Sequence, residues 1–530
     1  MAARYIIPLA LAALLGLVAW LYPAWWLLVP VGLAPGVAAW DFFQRSHTLR
    51  RNYPLVARLR WAAEDLRPFI RSYFVEGDLD GRPFSHEERA LIYARAKGEL
   101  DKHPMGTEYD VYSDEYEWLS HSIVPNESAP EQWRLRFGAN RAKPYDSALL
   151  NISAMSFGSL SARAIEALNH GAKLGDFAHN TGEGGISRYH RSAGGDLIWE
   201  IGSGYFGCRR EDGGFDPDRF ADQAVADQVR MIEIKLSQGA KPGHGGVLPG
   251  NKVTAEIAEA RGVPIGQAVN SPAAHRTFST PLELLGWIEQ LRDLSGGKPV
   301  GIKLCVGQPH EIMALGKAMV ETGTHPDFIT VDGGEGGTGA APLELSNNVG
   351  MPMREAVIMV RNMLVGIGLK HAVRLGASGK IHSGASMAIA HALGADYCNA
   401  ARPFMFSLGC IQSMQCHTDE CPTGVATQKA WRQQGLVVED KAHRVARFQQ
   451  QTLYSLREIV VAMGRNSPWE LTASDIRERI NSARSDAMDR VYTFLTDRAL
   501  LDDPDASPLS RHWHAARADS FRPVPAGQAA

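Results

Sequence analysis

The strongest constraint in this chain is a rhythm. Between Leu149 and Ala400, short apolar runs end in Gly, Ser, Asn or Asp, and a stretch of helical periodicity follows each of them. Eight runs can be placed: Leu149–Ala154, Phe177–Asn180, Leu197–Ile201, Met231–Lys235, Val300–Leu304, Phe328–Val331, Val373–Gly376 and Tyr397–Ala400. A short apolar run closed by turn residues fits a strand buried on both faces, and alternation with helices implies a parallel sheet. Eight units over some 250 residues predict an α/β chain closed into a (β/α)8 TIM barrel; an open doubly wound sheet is the alternative. The polar, glycine-rich segments follow the strand ends, where a barrel builds its active site. About 65 residues separate the fourth and fifth runs, so an insertion over that site is expected.

The flanks read differently. Tyr5–Leu21 and Ala24–Trp40 carry no charge. Each run is near the short limit for crossing a bilayer. A signal peptide lacks a convincing small-residue cleavage site, and one long span with a re-entrant tail is a second possibility. The preferred reading is an N-terminal transmembrane helical hairpin turning at Tyr22–Pro23. Trp20, Tyr22, Trp25, Trp26 and Trp40 would lie at its ends. Arg4 on one side and Arg45, Arg50, Arg51, Arg58 and Arg60 on the other put both ends in the cytoplasm. The expected domains are 1–44, the hairpin; 45–145, a helical cap or tether; 146–428, the barrel; and 429–530, a helical extension ending in a loose tail beyond Asp502. The expected location is the cytoplasmic membrane, with the large domain facing the cytoplasm.

Net charge is −3, from 55 basic and 58 acidic side chains, so no basic excess points to nucleic acid. Of six cysteines, Cys410, Cys416 and Cys421 fall within one loop, spaced C-x5-C-x4-C. Clustered thiols in a large ordinary chain suit metal ligation better than a disulfide framework. Three thiolates match an iron–sulfur cluster with three irons; a zinc site completed by His417 and three buried structural cysteines stay open on spacing alone.

Here the strings become specific. CHTDECPTGVATQ with Cys410 ahead of it, SAMSFGSLS at Ser153, NTGEGG at Asn180, IKLSQGAKPGHGGVLPGNKV at Ile234 and GGEGGTGAAP at Gly333 occur in one order across Leu149–Gln428. Together they resemble the FMN-binding synthase domain of the glutamate synthase family, most closely its stand-alone, single-domain members with an N-terminal hydrophobic extension. The resemblance implies FMN and a 3Fe–4S cluster held by Cys410, Cys416 and Cys421.

An FMN site needs backbone donors for phosphate and positive charge near the ring. The loops after the seventh and eighth strands, where flavin barrels hold phosphate, offer Ser378, Gly379, Lys380, Ala401 and Arg402. The resemblance adds Ala154, Met155 and Ser156 at the flavin edge, and Gly333, Gly334, Gly337 and Thr338 follow the sixth strand. Lys303 ends the fifth strand; buried there, it needs either a paired acid or the flavin N1 edge. For a dicarboxylate substrate, the resemblance implies Gln238, Lys241 and Arg261 as contacts and Glu183 as the active-site glutamate, with Lys235 beside them. The family's KPGEGGQLP reads KPGHGGVLP here, so His244 and Val247 depart from it.

The reaction implied is reductive amination of 2-oxoglutarate to L-glutamate, a step of amino-acid biosynthesis. Electrons would enter through the cluster from ferredoxin or a reductase subunit, because no dinucleotide fingerprint is evident. Ammonia would come from solution or a separate glutaminase. The alternatives are a membrane amino-acid or amine oxidoreductase, a glutamate N-transferase, and a non-catalytic assembly subunit.

Overall fold

Eight parallel strands close into a ring in the computed structural model, which describes residues 28–524 and the isolated positions Ala13, Gly16, Leu17, Trp20 and Leu21. In chain order they are β1 (Leu150–Ile152), β2 (His179–Asn180), β3 (Leu197–Ile201), β4 (Val229–Lys235), β5 (Val300–Leu304), β6 (Phe328–Asp332), β7 (Arg374–Ser378) and β8 (Tyr397–Ala400). Each lies on one of the eight apolar runs, and closure between β8 and β1 (Cys398 opposite Leu150, Ala400 opposite Ile152) excludes the open sheet. The chain divides into two compact units, Met1–Glu87 and Glu88–Ala530, with the barrel in the second.

Local chemistry sets the outer helices. Thr280 and Glu283 exchange hydrogen bonds in a capping box, with Pro281 at the first turn, and start helix Pro281–Leu294. Ser161 caps helix Ala162–Gly175, which ends at Asp176 in the left-handed conformation. Against that helix lies the 25-residue helix Val438–Ala462. The two approach closely because Gly171 has no side chain; a Cβ there would strike Val445.

The segment expected as a helical cap is only partly helical. After helix His86–Lys97 it holds strands at Glu117–Leu119, Arg134–Phe137 and Tyr145–Ala148. The first pairs with Ile476–Asn481, which pairs in turn with Arg484–Ala487, so the C-terminal extension also carries a hairpin rather than helices alone. The other two form a hairpin under the barrel. Its Phe137, fully buried, meets Phe328 edge-on at 5.6 Å and Tyr397 at 5.0 Å. Beside it Asp327 accepts from Arg141 (2.6 Å), Arg292 (3.0 Å) and the Val300 amide (2.8 Å). These long-range pairings have no period that a local reading would detect. The tail past Asp502 is docked as far as Val524: helix Ser510–Ala515 buries Trp513 under the Lys317 ammonium, and Lys317 donates to the Ala516 carbonyl at 2.9 Å.

In the first unit, helix Leu28–Phe43 has 16 residues and contains Pro35. Asp41 in it is buried and takes a two-point ion pair from Arg58, at 2.7 and 2.8 Å. A helix of that length rises about 24 Å, short of the roughly 30 Å apolar core of a bilayer. Among the described residues no helix is long and apolar enough to cross a membrane, so the hairpin gains no support. Most of its first run, Tyr5–Leu21, lies outside the described residues.

Phe137→Ala removes the ring that closes the bottom of the barrel. A loss of about 3–5 kcal/mol is expected from emptying a fully packed aromatic site, measured by urea unfolding.

Candidate active site

All eight strand ends point to one mouth, and the residues that follow them build the site from neighbouring positions on the ring. Lys235 is the last residue of β4. Its ammonium donates to Glu183 Oε1 at 3.2 Å and to Gln238 Oε1 at 3.0 Å. Glu183 arrives from the loop after β2, and Ser271 Oγ lies 3.5 Å from its second oxygen. The room for that carboxylate is made by glycine: a Cβ on Gly202 would come within 2.7 Å of Oε2, and one on Gly246 would overlap Oε1. Burial alone would raise the Glu183 pKa, but Lys235, then Arg261 and Lys241, outweigh it and hold the carboxyl below its usual range.

Lys241 and Arg261 reach the same region from the long segment between β4 and β5. Lys241 is buried and donates to the Ala340 carbonyl at 3.1 Å; burial lowers its pKa, opposed by the charge on Glu183. Arg261 ends helix Ala255–Arg261 and donates to Ser156 Oγ and the Phe157 carbonyl, both at 3.2 Å, with its guanidinium 5.2 Å from the Phe206 ring centre. Burial pulls its pKa down to about 10. Its Nε has no hydrogen-bond partner. A cavity of about 370 Å³ opens behind it, lined among others by Phe157, Tyr189, Arg209 and Glu256. Gln238 also reaches the Gly337 carbonyl at 3.4 Å, and the Gly239 amide donates to Asp332 at 2.8 Å. The β4 loop is thereby laced to the β6 loop across the mouth.

The residues expected to cradle a phosphate lie at adjacent strand ends. Ser378 Oγ lies 3.5 Å from Ser153 Oγ, and the Ser378 carbonyl accepts from the Gly333 amide at 2.8 Å. A Cβ on Gly379 would come within 2.7 Å of Met353 and 3.1 Å of the Glu335 carboxyl. Lys380 follows with φ +50°. Arg402, which follows Ala401 after β8, donates to the Glu335 carbonyl at 2.6 Å; the chain at Gly337 passes so close that a Cβ would lie 2.7 Å from Arg402 Nε. The Glu335 carboxylate accepts from the Met353 amide at 2.9 Å, at the start of helix Met353–Gly366. The Glu335 carboxylate therefore sits at a helix N-terminus close to Gly379, where backbone amides favour negative charge. At the other strand ends, Met155 and Ser156 are buried and Ala154 is half-buried, while Gly334 packs on Met351 and Thr338 is exposed on the loop.

Lys303 stands inside the ring, 3.8 Å from Glu200 of β3. Burial works against its charge, and Glu200, then Asp332, Glu233 and Glu183, more than offset it, so the ammonium is held above its ordinary range. The paired acid that the position requires is present. Glu200 was not a sequence candidate: it sits in an apolar strand, LIWEI, and nothing local distinguishes it.

Cys410, Cys416 and Cys421 carry free thiols. Burial pushes the Cys410 thiol up to about 12, and charge on Cys416 or Cys421 would push in the same direction, so the three are electrostatic neighbours. Among the described residues, no three His, Cys, Asp or Glu side chains converge as a finished metal site. His417 is exposed. A residue missed by the sequence reading organises this loop. Lys252 is buried and donates to the carbonyls of Ser159 (2.9 Å), Cys416 (3.3 Å) and Ala426 (3.2 Å). Gln428 adds bonds to the Gly158 and Leu160 carbonyls at 3.1 and 3.0 Å. Together they tie the cysteine loop to the segment after β1. Lys252 lies inside IKLSQGAKPGHGGVLPGNKV, but a lysine between a proline–glycine turn and a helix gives no local sign of burial.

With this geometry in view, comparison places the chain among known proteins. The conserved region in glutamate synthase matches residues 139–466. The glutamate synthase large subunit-like protein YerD of Bacillus subtilis is 37% identical over 486 residues, 83% of this chain and 91% of that protein. The archaeal-type glutamate synthase (NADPH) of Thermotoga maritima is 35% identical over 316 residues, and the match spans 59% of each. A flavocytochrome b2 structure with pyruvate bound overlays with a TM-score of 0.40 at 13% identity, over 79% of this chain and 85% of that one.

Lys252→Met leaves three carbonyls without their donor. The amides from Cys416 to Gln428 are expected to exchange with deuterium at least tenfold faster, a loss of about 1.4 kcal/mol or more of local stability, while the β5–β6 side of the barrel keeps its protection. Equal exchange in both proteins would show that Lys252 does not hold the loop.

Proposed function

We propose, from the premise that this chain belongs to the glutamate synthase family and is a glutamate synthase-like oxidoreductase, that it carries out FMN-dependent reductive amination of 2-oxoglutarate to L-glutamate. One observation carries the reading: Glu183, Lys235, Gln238, Lys241 and Arg261 converge on one mouth, three cations around one carboxylate. Such a set suits a small dicarboxylate that becomes an amine.

Ser378, Gly379, Lys380, Arg402 and the Gly333–Thr338 run would hold FMN, with Ala154, Met155 and Ser156 along its edge. Bound there, FMN supplies hydride transfer. Lys303 offers a fixed positive charge from inside the ring. Lys241 and Arg261 would each hold a substrate carboxylate, and Gln238 would donate an amide hydrogen. Glu183, ionised at neutral pH, would bind the incoming ammonium and accept its proton as nitrogen attacks carbon. The β4 loop, laced over the mouth, would keep water from that carbon.

The thiols of Cys410, Cys416 and Cys421 suit the soft-ligand chemistry of a 3Fe–4S cluster. They share one loop, are unpaired, and lie near the buried ammonium of Lys252. Electrons would arrive there from a ferredoxin or a reductase subunit, and ammonia from solution or a separate glutaminase. The N-terminal apolar runs are proposed to attach the protein to the cytoplasmic membrane, with its catalytic domain facing the cytoplasm. Trp40, Phe43, Leu59 and Phe74, all largely exposed in the first unit, favour that attachment. Membrane attachment also keeps the second reading in view, an amino-acid or amine oxidoreductase or glutamate N-transferase serving a membrane partner.

Full-length protein loaded with FMN, iron and sulfide under argon, then given 2-oxoglutarate, ammonia and dithionite, should form glutamate. No glutamate with flavin bound would sink this reading; flavin bleached by glutamate or another amine without 2-oxoglutarate would favour the second. Lys241→Met should raise the 2-oxoglutarate KM roughly 10- to 100-fold, the loss of one charged hydrogen bond. Removing residues 1–44 should move the protein from the membrane pellet to the supernatant; an unchanged pellet fraction would refute the attachment.

A further inference from the structure

Three carboxylates inside the barrel share one ammonium. Glu200 on β3 and Glu233 on β4 are register partners, Lys303 follows on β5, and Asp332 ends β6. Glu200 and Glu233 are each 1% exposed and Lys303 5%. Lys235 pairs with Glu183 at the mouth, 3.2 Å away, and acts on Glu200 more weakly than Lys303 does; Arg402 lies within electrostatic reach of Asp332, and Lys303 is the ammonium paired with Glu200. Burial and like charge both work against ionisation of the adjacent pair Glu200 and Glu233.

Hydrogen bonding identifies the carboxyl that yields. Glu233 accepts from Asn180 and from Thr330, both at 2.6 Å, and Thr330 is itself bonded to Tyr397 at 2.8 Å. Asp332 accepts from the Gly239 amide at 2.8 Å. Burial raises the Glu233 pKa, and Lys303 together with the Thr330 and Asn180 donors works against that rise. Glu200 Oε2 has no hydrogen-bond partner, and its one close cation is Lys303 at 3.8 Å.

We infer that Glu200 is a redox-linked proton acceptor: when negative charge accumulates on the ring held over Lys303, Glu200 gives up that ammonium by taking a proton from solvent. The inference rests on reading the mouth as the FMN site, and Glu200 acts through Lys303 as a positioning residue. The step balances. A one-electron donor of the dithionite or ferredoxin class supplies two electrons in turn, the ring takes them with one proton, and Glu200 carboxylate plus a second proton becomes the neutral acid. No bond to carbon changes. Burial first, against the pull of Lys303 and Lys235 and with the push of Glu233 and Glu183, brings Glu200 up to about 7, where small changes in local charge move a proton. Added negative charge beside Lys303 raises it further, so reduction draws a proton in.

The test is the flavin midpoint potential of full-length protein carrying FMN, titrated with dithionite across neutrality. A two-electron couple moves by about 30 mV for each tenfold change in proton activity per proton taken up. The wild type should fall by about 30 mV per pH unit below the Glu200 pKa and about 60 mV above it. Glu200→Gln should stay near 30 mV throughout. Glu233→Gln, which removes a neighbouring negative charge, should keep the break and move it to lower pH. A break that survives in Glu200→Gln, or no break in the wild type, overturns the inference. Infrared titration of the flavin-free protein gives a second reading. The carboxylic-acid carbonyl band should fade as pH rises through about 7 and be missing in Glu200→Gln. If the protein binds no FMN, the proposed function fails and the infrared band alone decides where the proton sits; an unchanged band in Glu200→Gln then rejects Glu200.

Discussion

Pairing between β8 and β1 is the constraint from which the rest follows. Cys398, Asn399 and Ala400 bond across to Leu150, Asn151 and Ile152, and that seam turns a row of eight strands into a ring with no free edge. Once the ring is closed and parallel, every strand end faces one mouth. Residues as far apart in sequence as Ser156 and Arg402 then become parts of one site. Side chains of β3, β4, β5 and β6 meet inside the ring, where water cannot screen them. The raised pKa values of Lys303 and Glu200 are both products of that enclosure.

The barrel was legible because its signal is local and repeated. All eight strands fall on the runs chosen from apolarity and turn residues, differing by a few residues at their ends. The site was legible where side chains lie in strings of fixed spacing: Lys235, Gln238 and Lys241 belong to one loop, and the structure keeps them together. What escaped depends on partners distant in the chain. Phe137 is an ordinary residue in a charged segment until Phe328 and Tyr397 enclose it. Glu200 matters only because Lys303 lies across the ring, and Lys252 only because three carbonyls from three segments converge on it. Trp513 looked like tail because its docking partner, Lys317, lies almost two hundred residues earlier.

Glycine ties local and global structure together at this site. Gly202 and Gly246 leave the space that Glu183 fills, and Gly239, in the same loop, would meet the Gly333 backbone if it carried a Cβ. The richness of glycine in the chain is therefore tied to close passage of loops over one another. In a mouth built this way, any added methyl group displaces either a charged side chain or a neighbouring loop.

The two departures from the family pattern now have structural content. Val247 begins a two-residue strand whose backbone pairs with Val269–Asn270, and its side chain is 38% exposed. Neither property supplies an amide hydrogen to a substrate. His244 is exposed on the same loop, with its amide turned back to the Lys241 carbonyl at 3.2 Å. On the proposed reading, recognition of a second carboxylate would fall on Gln238, Lys241 and Arg261. Of these, Arg261 already gives one guanidinium nitrogen to Ser156 and Phe157 and holds its unpartnered Nε toward buried space. A site with one fewer amide donor and a desolvated arginine discriminates by charge more than by hydrogen-bond pattern. Such a site would accept a wider set of dicarboxylates than one that reads every oxygen. The difference between this chain and the glutaminase-coupled enzymes should accordingly lie in substrate range before it lies in flavin chemistry.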